Sequence, residues 1–394
     1  MIDVRAHLAR KPLLFDGGMG TYYKAKPGTE CEQGNLLDPA GVRKVHREYL
    51  AAGAEAIKTN TFGLPRMAAA RQPDWQALAR AGWKLAAEAA VETGAAVFAD
   101  LGPAPDTEAA PAGSIYTAVA RCFVEQGAKN FLFETLSSDA GVLEAVQAIR
   151  ARVPDAFVLV SFAVLPDGYT REGMYSKDLV RRMTESGIVD AVGFNCVSAP
   201  GAMRTLVQQL GSTALPLSVM PNAGYPVVTR TQVKYQGKPE YFAKELARIA
   251  AEGVRILGGC CGTTPAHIAA LRAALDSLPA VEKAAPAVQV STPEAPTVEK
   301  DDAFLRKLNA GKKVIAIELD SPKDADLTNY LAGAKRLQAA GADLLTIADC
   351  PIARARMDSS LVACRVHREL GLCTLPHMTC RDRNLNATKA LLLG

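Results

Sequence analysis

Short apolar runs alternate along this chain with longer, alanine-rich amphipathic segments. The runs are "LLFDGG", "EAIKTNTF", "AVFADLG", "NFLFETL", "FVLVSFAV", "DAVGFNCV", "LPLSVMPNAG" and "RILGGCC", eight in all. Between them lie helical patterns such as residues 38–52, 78–93, 138–152 and 241–252. Gly53, Gly94, Gly127, Gly187 and Gly253 follow such segments, as glycine does just past a helix C-terminus. Near-continuous apolar runs read as strands buried on both faces, and alternation with helices implies parallel pairing. Eight such units in under 290 residues predict a (β/α)8 TIM barrel, an α/β fold. A doubly wound open sheet is the alternative. No GxGxxG follows the first strand and no GxxxxGK[ST] occurs, so dinucleotide and P-loop readings lose their main support.

Every run ends in polar or reactive residues: Asp16, Thr59 with Asn60, Asp100, Glu134, Ser161, Asn195 with Cys196, Asn222, and Cys260 with Cys261. Polar residues at a strand end can simply begin a loop. Eight in a row fit better the convergence of strand ends on one barrel mouth, where such enzymes work.

After Ser277 the composition shifts. "PAVEKAAPAVQVSTPEAPTVEK" is rich in Pro, Ala and Val, lacks periodicity and reads as an extended linker. The expected organisation is a barrel over residues 1–279, a linker over 280–300 and a second segment over 301–394. That segment offers "KVIAIELD", "ADLLTIAD" and "LCTLPHMTC" as strands with helices between. Three strand–helix units do not close a barrel, so it reads as an incomplete second β/α barrel.

Charge adds an exclusion. Lys+Arg 45 against Asp+Glu 41 leaves only +4, which points to neither nucleic acid nor a membrane surface. No apolar run is long enough to span a bilayer, and the N-terminus lacks a signal-peptide core. A cytoplasmic protein is the expectation. Nine cysteines at irregular spacings do not suggest a disulfide framework. Most are expected to be buried small side chains.

Three stand apart. Cys196 ends the sixth run, and Cys260 and Cys261 end the eighth, two strands away around a narrow mouth. Three soft thiolates near one point favour zinc. Adjacent cysteines reach one metal only where the strand breaks into a turn, because successive strand residues point to opposite faces. The glycines of "GGCCG" permit that break. Thr264 then fits an N-cap with Pro265 at the first helical position. Three protein ligands leave tetrahedral zinc one open position, the mark of a catalytic site. Such a site suits holding a substrate thiol as thiolate, where a free thiol of pKa about 8.5 is mostly protonated. A buried cysteine at 196, and a strained vicinal disulfide or redox pair at 260–261, are the alternatives. Cys31, Cys122, Cys350, Cys364, Cys373 and Cys380 have no comparable setting and read as structural.

Two carboxylates accompany the thiols, Asp16 in "DGGMGT" and Glu134 in "FLFET". They could form a general acid/base pair. Beside a thiol-activating metal they fit better as acceptors for a substrate ammonium. The turn through Gly17 and Gly18 exposes backbone N–H groups suited to a small anion such as a carboxylate. Thiol, ammonium and carboxylate together describe an amino-acid thiol. Asn195, next to Cys196, is counted with this substrate-binding group. A turn residue at Asp16 and a helix N-terminal acid at Glu134 are the bland readings.

"DGGMGT", "IKTNTFG", "FLFET", "GFNC", "MPNAG" and "ILGGCCGTTPAHI" resemble the motifs of the zinc-dependent homocysteine S-methyltransferase family over about residues 1–280. The resemblance implies Cys196, Cys260 and Cys261 as zinc ligands and homocysteine thiolate in the fourth position. It implies Asp16 and Glu134 at the substrate amino group, and in-line transfer of a methyl group to give methionine. "VIAIELDSP", "DLLTIAD" and "LPHMTCRDRN" are similar to the start of a methylenetetrahydrofolate reductase, a flavin-dependent barrel. That likeness implies Glu318 as the acid at the folate and Thr346 and His377 along FAD. Together the segments resemble bifunctional proteins carrying both modules. Less than half of a reductase barrel is present, so FAD binding and folate reduction are not expected of this chain.

Three functions compete: methyl transfer to homocysteine, folate oxidoreduction with an accessory zinc barrel, and non-catalytic zinc or thiol binding. The small methyl donor is open among S-methylmethionine, S-adenosylmethionine, betaine and methyltetrahydrofolate. Betaine would need an aromatic pocket, to which Tyr22, Tyr23 and Phe62 are candidates.

Overall fold

The computed structural model of the chain describes residues 2–228, 233–277, 303–351, 354–380 and 383–393. The linker expected at 280–300 lies outside the described residues. The chain divides into two compact units, Met1–Ser291 and Thr292–Gly394. Among the described residues no helix is long and apolar enough to cross a membrane.

The eight apolar runs become the eight strands of one parallel sheet. They are β1 (Leu13–Leu14), β2 (Ala56–Lys58), β3 (Ala96–Leu101), β4 (Asn130–Leu136), β5 (Phe157–Phe162), β6 (Ala191–Asn195) and β7 (Leu217–Met220). After the hairpin strands β8 (Pro226–Val228) and β9 (Val233–Tyr235) comes the eighth, β10 (Ile256–Leu257). The order is β1-β10-β7-β6-β5-β4-β3-β2. A parallel bridge between Phe15 and Ala56 returns β2 to β1 and closes the ring. This is the TIM-like barrel expected, and the open doubly wound sheet is set aside. The antiparallel hairpin of β8 and β9 was not anticipated.

Helices form where the pattern places them, and local chemistry sets their ends. Asp38 caps Pro39–Ala51 by accepting from the Gly41 N–H, with a proline in the first turn. Gly53, Gly94, Gly127, Gly187 and Gly253 all have positive φ, the conformation glycine allows after a helix. Helix Val142–Arg152 starts later than expected, because Gly141 at φ 70° turns the chain first.

Strand alternation sorts the barrel into two cores. Leu14, Ile57, Val97, Phe131, Val158 and Val192 face the surrounding helices. Leu13, Phe15, Phe98, Leu132, Leu159 and Met220 fill the interior, where the Phe15 and Phe98 rings lie 4.7 Å apart. Helix Val4–Leu8 supplies Val4 and Leu8 to that interior. Its Arg5 pairs with Asp190 and donates to the carbonyl oxygens of Asp155 and Ala156, just ahead of β5 and β6. The helix therefore seals the N-terminal end of the barrel.

The second unit is a smaller parallel sheet of β11 (Ala316–Glu318), β12 (Leu344–Ile347) and β13 (Cys373–Pro376), in that order. Its core is Tyr330, Ala334, Leu345, Ile347, Val362 and Val366, from strand β12 and helices Thr328–Ala339 and Ser359–Leu370.

Candidate functional site

The period of two that fills the barrel also builds its mouth. Interior residues Ala56, Phe98, Leu132 and Leu159 are each followed two positions later by Lys58, Asp100, Glu134 and Ser161. Residues two apart share a strand face, so a polar layer stands directly on the apolar one. Lys58, Asp100, Glu134, Ser161 and Asn195 are all buried.

The three singled-out cysteines meet here. The Sγ atoms of Cys196, Cys260 and Cys261 all lie within 4.8 Å of one another, and Cys196 to Cys261 is 3.8 Å. Tetrahedral zinc with Zn–S near 2.3 Å would set sulfurs about 3.8 Å apart, so the donor set fits that ion in both chemistry and spacing. The chain leaves β6 through left-handed conformations at Cys196 (φ 58°) and Val197 (φ 36°). After β10 it breaks at Gly258, and Gly262 at φ 79° completes the turn past the paired thiols. Thr264 then caps helix Pro265–Asp276 in a capping box with His267. All nine cysteines are free. Hydrogen bonds from Cys196 and Cys260 hold the Cys261 thiol down at about 3. Cys260 is pushed well above the usual thiol range by its hydrogen bonds to Cys196 and Cys261 and by burial. Tyr235, at the end of the unanticipated hairpin, also hydrogen-bonds Cys261.

Beside the thiols is a buried charge cluster. Lys58 Nζ lies 3.4 Å from Asp16 Oδ1 and 3.9 Å from Glu134 Oε2. The sequence reading overlooked this lysine. Its signal was a charged residue inside a run that is otherwise wholly strand-like. Burial works to lower the Lys58 pKa, but the charges of Glu134 and Asp16 more than offset it and keep the ammonium protonated. Burial pushes Asp16 up to about 6 against the pull of Lys58. Burial also raises Glu134, and raises Asp100 further with help from the Glu134 charge. Asp16 Oδ1, Asp100 Oδ1 and Asn222 Oδ1 are buried with no hydrogen-bond partner among the described residues.

The glycine turn also has a packing role. The Gly18 N–H donates to Thr263 Oγ1 at 3.0 Å, so it is not open to an anion. Thr263 Oγ1 in turn donates to the Cys260 carbonyl, and the buried Tyr49 hydroxyl donates to the Thr263 carbonyl at 2.9 Å. A Cβ at Gly17 would sit 2.5 Å from Thr263 Oγ1, and one at Gly18 2.6 Å from the Cys260 carbonyl oxygen. The glycines are there for close approach between the two ends of the barrel. Asn195 is likewise engaged by the protein. Its Oδ1 accepts from Thr135 N and Ser161 Oγ, and its Nδ2 donates to Thr135 Oγ1 and reaches Glu134 and Cys260. It brackets β4, β5 and β6 together under the thiols.

Other candidates scatter. Asn60 bonds Cys31 and Asn35, and Thr59 bonds Thr61. Tyr22 and Tyr23 commit their hydroxyls to Glu48 and Asp38, Tyr23 is buried, and Phe62 is exposed. Of the cysteines read as structural, Cys122 is buried, while Cys364 and Cys380 are exposed surface thiols. In the second unit Glu318 and Thr346 are register partners on β11 and β12. His377 follows β13, its N–H donating to the Ile347 carbonyl. Glu318 and His377 are exposed.

Fold and site together define a closed β/α barrel with a three-thiol cluster at its mouth. The chain belongs to the homocysteine S-methyltransferase family, whose model matches residues 13–275. Residues 303–393 match the methylenetetrahydrofolate reductase model, so a reductase-like segment follows the barrel. The chain is 32% identical over 312 residues to the methionine synthase of Mycobacterium tuberculosis, covering 72% of this chain and 26% of that protein. It thus spans about a quarter of the length of the curated methionine synthases it matches. It is 29% identical over 296 residues to the homocysteine S-methyltransferase of Escherichia coli, covering 66% of this chain and 94% of that one. The crystal structure of the metallated form of the Escherichia coli homocysteine methyltransferase MmuM superposes with a TM-score of 0.56 at 25% identity. It covers 68% of this chain and 99% of that one.

Proposed function

We propose that the barrel, residues 1–279, moves a methyl group from a small donor to the thiolate of homocysteine, forming methionine. The observation that carries this is the convergence of Cys196, Cys260 and Cys261 within 4.8 Å beside buried carboxylates. These three residues would hold zinc, the ion their three soft donors favour, and a relative solved in a metallated form supports a metal here. Zinc bound there would lower the pKa of a substrate thiol so that it is a thiolate near neutral pH. The chain's own residues then bind and orient. Asp16 and Glu134 hold the substrate ammonium, with Asp16 Oδ1, which pairs with Lys58 but makes no hydrogen bond, as one acceptor. Asn195 fixes Glu134 and Cys260 relative to each other. Gly17 and Gly18 let the first strand's turn close against the thiol turn. The substrate sulfur bonds to the methyl carbon in line as the donor's bond to that carbon breaks, and the donor leaves with the electron pair.

Nine free cysteines suit a reducing compartment, and we place the reaction in the cytoplasm. We assign residues 301–394 to a reductase-like module joined through 280–300, supported by the family match. Truncation after Ala280 should leave a folded, metal-binding barrel; aggregation of that piece would remove the boundary. The same match favours folate reduction as a second reading. Flavin absorbance of the purified chain tests it, and a colourless protein rejects it.

The test of the main reading is elemental analysis of reduced protein, followed by homocysteine titration and a screen of the four donors. One zinc per chain and methionine formation are expected. Absence of metal after reduction and metal addition would sink it.

A further inference from the structure

Lys58 is a buried cation at the centre of the mouth for which the reading above has no use. Its three N–H donors are poorly served. The nearest acceptors are Asp16 Oδ1 at 3.4 Å, the Gly259 carbonyl at 3.4 Å and Glu134 Oε2 at 3.9 Å. A satisfied ammonium–carboxylate hydrogen bond is about 2.7–2.9 Å. The ammonium is therefore held in place by charge but not saturated. It also lies next to both carboxylates assigned to the substrate ammonium. In an α-amino acid the carboxylate is carried by the same carbon as the ammonium. A substrate amine on Asp16 and Glu134 thus brings its carboxylate into the neighbourhood of Lys58. Of the two glycine N–H groups expected for that carboxylate, that of Gly18 is spent on Thr263.

We propose that Lys58 is a specificity-determining residue that receives the substrate's α-carboxylate, so that the mouth selects an amino-acid thiol over a simple aminothiol. The proposal rests on the homocysteine reading and deepens it. Bound substrate completes an alternating array: Asp16 and Glu134, substrate ammonium, substrate carboxylate, Lys58. Because Lys58 is 5% exposed, a ligand lacking the carboxylate leaves this buried cation with only its long contacts to Asp16, Gly259 and Glu134, and binding sites reject analogues that fail to match a buried polar group. A purely structural lysine, present only to neutralise Asp16 and Glu134, would not care whether the ligand had a carboxylate.

The test is calorimetric titration of the full zinc-loaded chain with L-homocysteine and with 3-aminopropane-1-thiol, which is homocysteine without its carboxylate. The natural protein should prefer homocysteine by about 10- to 100-fold. Lys58→Met should reduce that preference to within about threefold, and Lys58→Arg should keep most of it. Melting temperature and zinc content of each variant check that the site is formed. Equal weakening of both ligands in Lys58→Met, with the preference intact, overturns the proposal and leaves the methyltransferase reading standing. A preference below about threefold in the natural protein overturns it without any variant. Failure of the natural protein to bind either thiol removes the homocysteine reading and this proposal with it.

Discussion

The two units are built from similar words. "AVFADL" in the barrel and "VIAIEL" in the second unit are both short apolar runs ending in a carboxylate, and both become parallel strands. Their surroundings differ. Every residue of β3 is buried, whereas Ala316 and Glu318 of β11 are exposed. Each barrel strand has neighbours on two sides, while β11 and β13 each have one among the described residues. A carboxylate at a strand end acquires unusual chemistry only when a closed ring buries it. Asp100 and Glu134 are held protonated more readily by burial. Glu318 has the same place in its strand and lies in solvent.

Four experiments press on that contrast. The largest effect belongs to the thiols. Cys260→Ser or Cys261→Ser should abolish metal binding and methyl transfer together, while Cys364→Ser, on the surface of the second unit, leaves metal content unchanged by elemental analysis. Equal behaviour of the two sets would erase the distinction. Next is packing. Phe98→Ala empties the barrel interior and should cost about 3–5 kcal/mol in denaturant unfolding. Leu375→Ala, at 52% exposure, should stay within about 0.5 kcal/mol.

The carboxylates come third. Glu134→Gln should weaken homocysteine binding by about 10- to 100-fold, and Glu318→Gln should not change it; calorimetry reads both. The smallest effect concerns His46, fully buried with neither ring nitrogen partnered. Burial lowers its pKa from 6.5 to about 4. A base depressed in the fold binds fewer protons than in the unfolded chain, so stability falls as pH drops from 6.5 towards 4, by about 1 kcal/mol at pH 5.5. Asp16, raised to about 6, acts the other way over part of that range. Comparing His46→Leu with the natural chain isolates the histidine. Parallel melting-temperature profiles from pH 7 to 4.5 would show that His46 contributes nothing.

The barrel was legible because its signals are local. Each of the eight runs carries its own apolar character, and Gly53 or Gly253 marks a helix end without reference to anything distant. Cys196, Cys260 and Cys261 could be paired because strand ends in a closed ring converge. What escaped was set by partners far off in sequence. Gly18 looked like an anion donor until Thr263, 245 residues later, took its N–H. Asn195 was legible as a residue of the mouth, but its bonds to Thr135 and Ser161 were not. Lys58 was hidden in plain view. A lysine in an apolar run reads as a solvent-facing interruption, and only the inward alternation of β2 turns it into the central cation. The hairpin bearing Tyr235 lay outside the strand–helix rhythm that organised the rest.

The closure of the ring has a temporal side. Leu13 and Leu14 pair with Ile256 and Leu257, so the first strand made must wait for the last. Cys196 emerges from the ribosome well before Cys260 and Cys261, and alone it offers a metal one sulfur. Loss of chain freedom on joining such distant segments makes this seam the slow, late step of assembly. The thiol cluster and the closed barrel then form together. A nascent chain that stalls before residue 256 lacks two of the three clustered thiols, so the cluster exists only once the barrel is made.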